Sequence, residues 1–226
     1  MIPIRDRNPS GTFPLITVII IVINVLAFLF ELSLGRNLTY FLFSYGIVPL
    51  KIFQLADIPE VSMANTYFPF LSYMFLHGGF IHLLGNMWYL WIFGDNIEDI
   101  LGRFRFVVFY LICGIGSAVV HIFFNRQSGV PCIGASGAVA GVLGAYMISY
   151  PRARVLVLLP LLFIWQFIEL PAYIVLGFWF FIQFFNGTAA IANTQDGGVA
   201  WWAHIGGFVI GIILIKLFPR THYRHY

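Results

Sequence analysis

Ser136 stands among small residues in the run GASGAVAG, and His204 stands in AHIGGFVIG near the far end of the chain. A hydroxyl beside an imidazole is the smallest arrangement that makes an activated nucleophile. The ring, with an ordinary pKa of about 6.5, takes the hydroxyl proton as the oxygen attacks an acyl carbon. Spacing relates the two: sixteen residues separate Ser136 from Arg152, and sixteen separate His204 from Arg220. If both arginines mark one membrane boundary, the hydroxyl and the imidazole lie at one depth. His82 and Asn86 are i and i+4, on one helical face, and both side chains donate hydrogen bonds. A donor aimed at a developing oxyanion is worth roughly 3–4 kcal/mol of barrier. Ser136 opens a predicted helix, so its amide and the positive helix end can add to them. Taken singly, each residue has a plainer reading as a hydrogen-bonded or close-packed residue between helices. Every acidic residue falls at an interface or in a loop, so no third member of a triad is evident and a Ser–His dyad is the economical reading.

The elements that must position these residues are membrane helices. The 226 residues are 60% hydrophobic and 9% charged, against roughly 45–50% and about 25% in a soluble domain. A hydrocarbon core about 30 Å thick needs roughly 20 apolar residues of helix. Six spans are predicted, near Phe13–Phe30, Phe80–Phe93, Phe106–Phe124, Ser136–Tyr150, Pro171–Phe185 and Ala200–Phe218. The fold class is therefore an all-α polytopic membrane protein, a single domain over 1–226 with tails at 1–12 and 219–226. Arg5, Arg7, Arg103, Arg105, Arg152, Arg154, Lys216, Arg220 and Arg224 fall on one side, and Arg36, Lys51 and Arg126 on the other. Nine cations against three place both termini in the cytoplasm by the positive-inside rule. Arg5, Arg7 and the apolar run after them resemble a signal peptide, but the run is long and no small-x-small cleavage site follows, so an uncleaved anchor is expected. The net charge of +3 reads as topology and carries no nucleic-acid footprint. Cys113 and Cys132 read as buried small residues. No internal repeat points to a transporter.

Several finer expectations follow. The loop from Glu31 to Asn65, with Tyr40, Phe41, Phe43 and Tyr45, suits the outer interface. The fourth and fifth spans are short, the fifth starting at Pro171 because proline favours a first helical turn, with Glu169 at the interface. Gly129 to Ala135 should dip into the membrane and meet the helix at Ser136, opening an aqueous cavity. His204, Gly207 and Gly211 share one helical face, as do Gly137 and Gly141. Such small-residue stripes let spans four and six approach closely with Ser136 facing His204. His121 reads as an outer-interface histidine, and His222 and His225 as solvated tail residues. Asn186 to Val199 reads as a mobile cap, and the short fifth span as a gate.

Three stretches together carry a family resemblance. HGGFIHLLGNMWYLWIFGDNIEDILGRFRF, GASGAVAG and AHIGGFVIG, in this order and between hydrophobic spans, resemble the rhomboid family of intramembrane serine proteases, over about Phe68 to Leu217. The resemblance implies a rhomboid-like bundle. It makes Ser136 the nucleophile and His204 the base, and forms the oxyanion hole from His82, Asn86 and the Ser136 amide. It makes His77 a supporting residue near the cavity mouth and Glu98 and Gly102 structural, with Gly134, Gly137, Gly207 and Gly211 in support. No cofactor and no metal are implied. The implied substrates are single-span or polytopic membrane proteins cut in or near their transmembrane segments, and the implied location is the lipid bilayer of a prokaryotic cell (inner) membrane. The chain departs from some members where Phe68-Pro69 replaces a Trp-Arg pair and Ala140 a Tyr that stacks on the base. What holds His204 is then open, with Trp201 and Trp202 nearby. Two other readings stand beside this one: a catalytically silent rhomboid-like binder of membrane proteins, and a metal site on His77, His82 and His204, which lacks carboxylate or thiolate support.

Overall fold

The computed structural model describes residues 1–55, 66–161, 164–192 and 200–219. A first strand, β1 (Ile2–Asp6), precedes α1 (Leu15–Ser33). Short helices α2 (Leu38–Tyr45), α3 (Pro49–Leu55) and α4 (Pro69–Ser72) lead to the long pair α5 (Phe80–Leu101) and α6 (Arg103–Phe124). Then come α7 (Ser136–Ser149), strands β2 (Arg154–Leu161) and β3 (Ile164–Pro171), and helices α8 (Ala172–Ala192) and α9 (Trp201–Leu217). Among the described residues three helices are long and apolar enough to cross a membrane: Leu15–Ser33, Arg103–Phe124 and Ala172–Ala190. Ser136–Ser149 and Trp201–Leu217 are shorter apolar helices.

The helices turn their apolar side outward. On α1 the buried residues are Thr17, Ile20, Asn24, Phe28 and Glu31, one stripe at helical spacing, while Ile19, Val22, Ile23, Leu26, Leu29 and Phe30 are exposed. A soluble protein does not leave so large an apolar surface bare; lipid covers it. The N-terminus of α1 is capped from another helix. The Glu98 carboxylate, 2% exposed, accepts from the amides of Ile16 and Thr17 at 2.9 and 2.8 Å and from the Thr17 hydroxyl at 2.9 Å. These amides have no intrahelical acceptor, and leaving such buried donors unmatched costs roughly 1–3 kcal/mol each.

α7 is the axis of the molecule. Its residues from Gly137 to Tyr146 are all buried, so protein surrounds a helix that is only about 21 Å long at 1.5 Å per residue. Against it lies α9. A Cβ built on Gly207 would stand 1.9 Å from the Gly137 carbonyl oxygen, and one on Gly211 2.0 Å from that of Gly141. Only glycine permits backbones to touch in this way.

The structure corrects four expectations. The fold is mostly helical but not all-α: β1, β2 and β3 form an antiparallel sheet in that order, because the run after α7, too long for one crossing, doubles back as a hairpin. Glu169, expected at the end of a helix, sits in β3 and pairs with Arg7. Residues 1–12 are not a loose tail. β1 pairs with β2, Trp88 Nε1 donates to the Pro3 carbonyl at 2.7 Å, and the Gly11 amide and Thr12 hydroxyl donate to Asp99. The fifth helix is not short, since α8 has 21 residues. It runs on through Asn186, where Gly187 packs against Trp201 and Ile205 of α9. That takes the first seven residues of the expected cap, and 193–199 lie outside the described residues, as do 56–65 of the first loop and 220–226 of the tail.

Candidate active site

Five helices and the loop before α7 meet around a cavity of about 920 Å³, lined by His82, Asn86, Ser136 and His204 together with His121, Trp179 and Gln183, among others. α5 brings His82 and Asn86, α7 opens with Ser136, and α9 brings His204 one turn after its start. The loop before α7 is fixed by its backbone. Ile47 and Cys132 exchange hydrogen bonds at 3.0 and 2.7 Å, and the Gly134 amide donates to the Tyr73 carbonyl at 2.8 Å. Gly134 has φ +125°, which side chains rarely adopt, and a Cβ there would stand 2.8 Å from His82 Nε2 and 3.6 Å from Ser136 Oγ. The glycine thus marks the point where the His82 ring and the Ser136 hydroxyl converge.

The tautomer of His82 follows from its neighbour. The Gly78 amide donates to His82 Nδ1 at 3.4 Å, so in the neutral ring the hydrogen resides on Nε2, the nitrogen nearer Gly134. Asn86 Nδ2 donates one hydrogen to the His82 carbonyl at 3.0 Å, leaving its second for the cavity. Ser136 is the first residue of α7, where the helix has amides without partners. Among the described residues Ser136 Oγ has no hydrogen-bond partner. Catalytic hydrogen bonds in ligand-free enzymes are commonly long and tighten when substrate binds.

His204 is held by α8. Its Nδ1 lies 2.7 Å from Gln183 Oε1, and the Trp179 ring is 5.9 Å from the imidazole. Trp201 meets it edge-on at 6.2 Å, whereas Trp202 stacks on Phe124 at 3.8 Å. Ala140 is fully buried, and the rings beside the imidazole are those of Trp179 and Trp201. Sequence reasoning passed over Gln183 because a span ending at Phe185 makes it interfacial. The signal was a lone amide in the run GFWFFIQFF.

His121 is the other departure. It is 8% exposed, lines the same cavity and has Asn125 Nδ2 3.4 Å from its Nδ1, so in the last turn of α6 it is a cavity histidine. His77 is 2% exposed, its ring 5.2 Å from that of His82 and its amide donating to the Glu31 carboxylate at 3.2 Å. It supports His82 from behind and does not line the cavity. Gly137, Gly207 and Gly211 lie in the α7–α9 contact. Among the described residues no three His, Cys, Asp or Glu side chains gather to hold a metal ion.

The sequence is similar to those of known proteins. The family model for the Rhomboid domain matches residues 64–221. RHOMBOID-like protein 6, mitochondrial, of Arabidopsis thaliana is 32% identical over 70% of this chain and 46% of its own. Presenilin-associated rhomboid-like protein A, mitochondrial, of Danio rerio is 31% identical over 64% of this chain and 36% of its own. Rhomboid protein 1, mitochondrial, of Saccharomyces cerevisiae is 26% identical over 79% of this chain and 52% of its own. The chain spans about half the length of these relatives or less.

Proposed function

Because the chain belongs to the rhomboid family, we propose that it is an intramembrane serine endopeptidase that hydrolyses peptide bonds in or near transmembrane segments of other membrane proteins. The observation that carries this reading is the convergence of Ser136, His204, His82 and Asn86 on one cavity. Ser136 Oγ attacks the scissile carbonyl carbon while its proton passes to His204 Nε2. The oxygen that becomes negative is met by His82 Nε2–H, the free Asn86 Nδ2–H and the Ser136 amide. As the tetrahedral intermediate collapses, the C–N bond breaks and His204 gives its proton to the leaving amine. A water then attacks the acyl-enzyme with His204 again as base, releasing a carboxylate and restoring Ser136.

The reading places six helices across the bilayer, α1 and α5 to α9, as one domain with both termini in the cytoplasm. The nine cations toward one side support that orientation. α7 then starts inside the membrane, which brings the cavity below the surface where water must enter with the substrate. Which membrane holds the protein is a separate matter: the relatives with mitochondrial names do not favour the prokaryotic cell membrane expected from the sequence. The test is co-expression with a panel of tagged single-span proteins. Fragments that appear with the parent and vanish with Ser136→Ala support the reading; a folded Ser136→Ala variant that cuts as fast as the parent overturns it.

A further inference from the structure

The imidazole of His204 must present a bare Nε2 to Ser136 if it is to act as base, and among the described residues nothing on α5, α6, α7 or α9 hydrogen-bonds its Nδ1. Among the described residues no carboxylate lines the cavity, so the Asp of a familiar triad has no counterpart among them. What meets Nδ1 is Gln183 Oε1, at 2.7 Å, from an amide that is 7% exposed. An amide oxygen only accepts, so the ring nitrogen facing it carries the hydrogen and the opposite one is left with its lone pair. Trp179 and Gln183 are i and i+4 on α8, one face of that helix, and the Trp179 ring stands 5.9 Å from the imidazole. One face of α8 thus supplies both a wall and a hydrogen-bond acceptor to a histidine that α9 carries.

We propose that Gln183 is the positioning residue of the base: it fixes His204 as the Nδ1–H tautomer and completes a Ser136–His204–Gln183 relay in which an amide does the orienting work of a carboxylate. This rests on the protease reading above. When Nε2 takes the Ser136 proton the ring becomes cationic, and the Nδ1–H bond to Oε1 strengthens as a charge-assisted one. The proton leaves again to the departing amine, and Gln183 gains and loses none. A neutral acceptor suits a buried site, where a carboxylate would itself need a partner. Since the acceptor belongs to α8, any outward displacement of that helix withdraws it and leaves the base free to rotate or change tautomer.

The decisive experiment uses the full chain in nanodiscs, labelled with ¹⁵N-histidine, the His204 signals being identified by their loss in His204→Ala. The parent shows His204 as the neutral Nδ1–H tautomer. In Gln183→Met, which keeps the volume and removes the acceptor, that signal gives way to Nε2–H or a tautomer mixture, and in Gln183→Glu it persists. With a cleavable single-span substrate, Gln183→Met lowers kcat roughly 10- to 100-fold with KM within about twofold, part of the roughly 10²–10⁴-fold that a positioned base supplies. Gln183→Glu recovers most of the loss, while a thermal midpoint close to the parent's excludes unfolding. An Nε2–H tautomer in the parent, a tautomer and kcat unmoved in Gln183→Met, or a Glu variant no better than Met each overturns the proposal. A parent that shows the Gln183-dependent tautomer yet cuts nothing overturns the protease reading and leaves the positioning role standing.

Discussion

At the scale of single residues, different side chains carry different losses. His204→Ala removes the proton acceptor and should abolish cleavage of a tagged single-span protein. Asn86→Ala removes one of three oxyanion donors and should slow it some tens- to a thousandfold, with KM little changed; equal effects of the two variants would contradict the division of roles. Gly134→Ala should be as damaging as Asn86→Ala although it touches no substrate, because its Cβ must enter space held by the His82 ring at a φ that side chains rarely adopt. Full activity in Gly134→Ala would show that the His82 position is not critical. Ser136, His204, His82 and Asn86 were legible because the sequence groups them with glycines at helical spacing. Gln183 and the cavity position of His121 were not, since a single polar residue in an apolar helix carries no sign of which neighbour it faces.

At the scale of elements, two contacts set the geometry. The α7–α9 contact depends on absent side chains, so Gly207→Val should force the helices apart, lower the thermal midpoint and cut activity together. Overpacking of this kind costs about 1–3 kcal/mol, occasionally more, and an unchanged midpoint would undercut the packing argument. The second contact is that of β1 with the helix bundle. Asp6 accepts from the Tyr146 hydroxyl at 2.5 Å, and burial, with Asp95 adding, raises its pKa from 3.8 to about 6. A raised carboxyl pKa means the folded state holds the proton more tightly. That contribution to stability is fully present below about pH 4 and is lost as pH rises through about 6. Thermal unfolding between pH 4 and 7 should therefore show Asp6→Asn with a shallower fall than the parent across this window; identical slopes would mean Asp6 titrates as an exposed carboxylate does. The glycine stripes announced the first contact. The sheet was hidden because β2 and β3 are apolar runs without clean alternation, and because β1 pairs with β2 across almost the whole of the intervening chain.

At the scale of the whole molecule, composition alone identifies a membrane protein, and the six expected spans start within three residues of the helices, whereas α5 runs to Leu101 and not to Phe93. The lengths were less legible. A span that ends near Phe185, with a cap from Asn186, falls short of α8, which continues to Ala192 and packs its Gly187 against α9. Enclosure, too, is a property of the assembled bundle: α7 is short and surrounded by protein, and its first residue, Ser136, lines the cavity. All of these features serve one claim, that Ser136 is a nucleophile made reactive by its setting. The direct measurement is reaction of the reconstituted protein with a serine-reactive fluorophosphonate, followed by peptide mapping. The expected result is a single adduct on Ser136 that survives chelators, is absent in Ser136→Ala and is strongly diminished in His204→Ala. A folded parent that takes no label at Ser136, or a label that persists in Ser136→Ala, would contradict it.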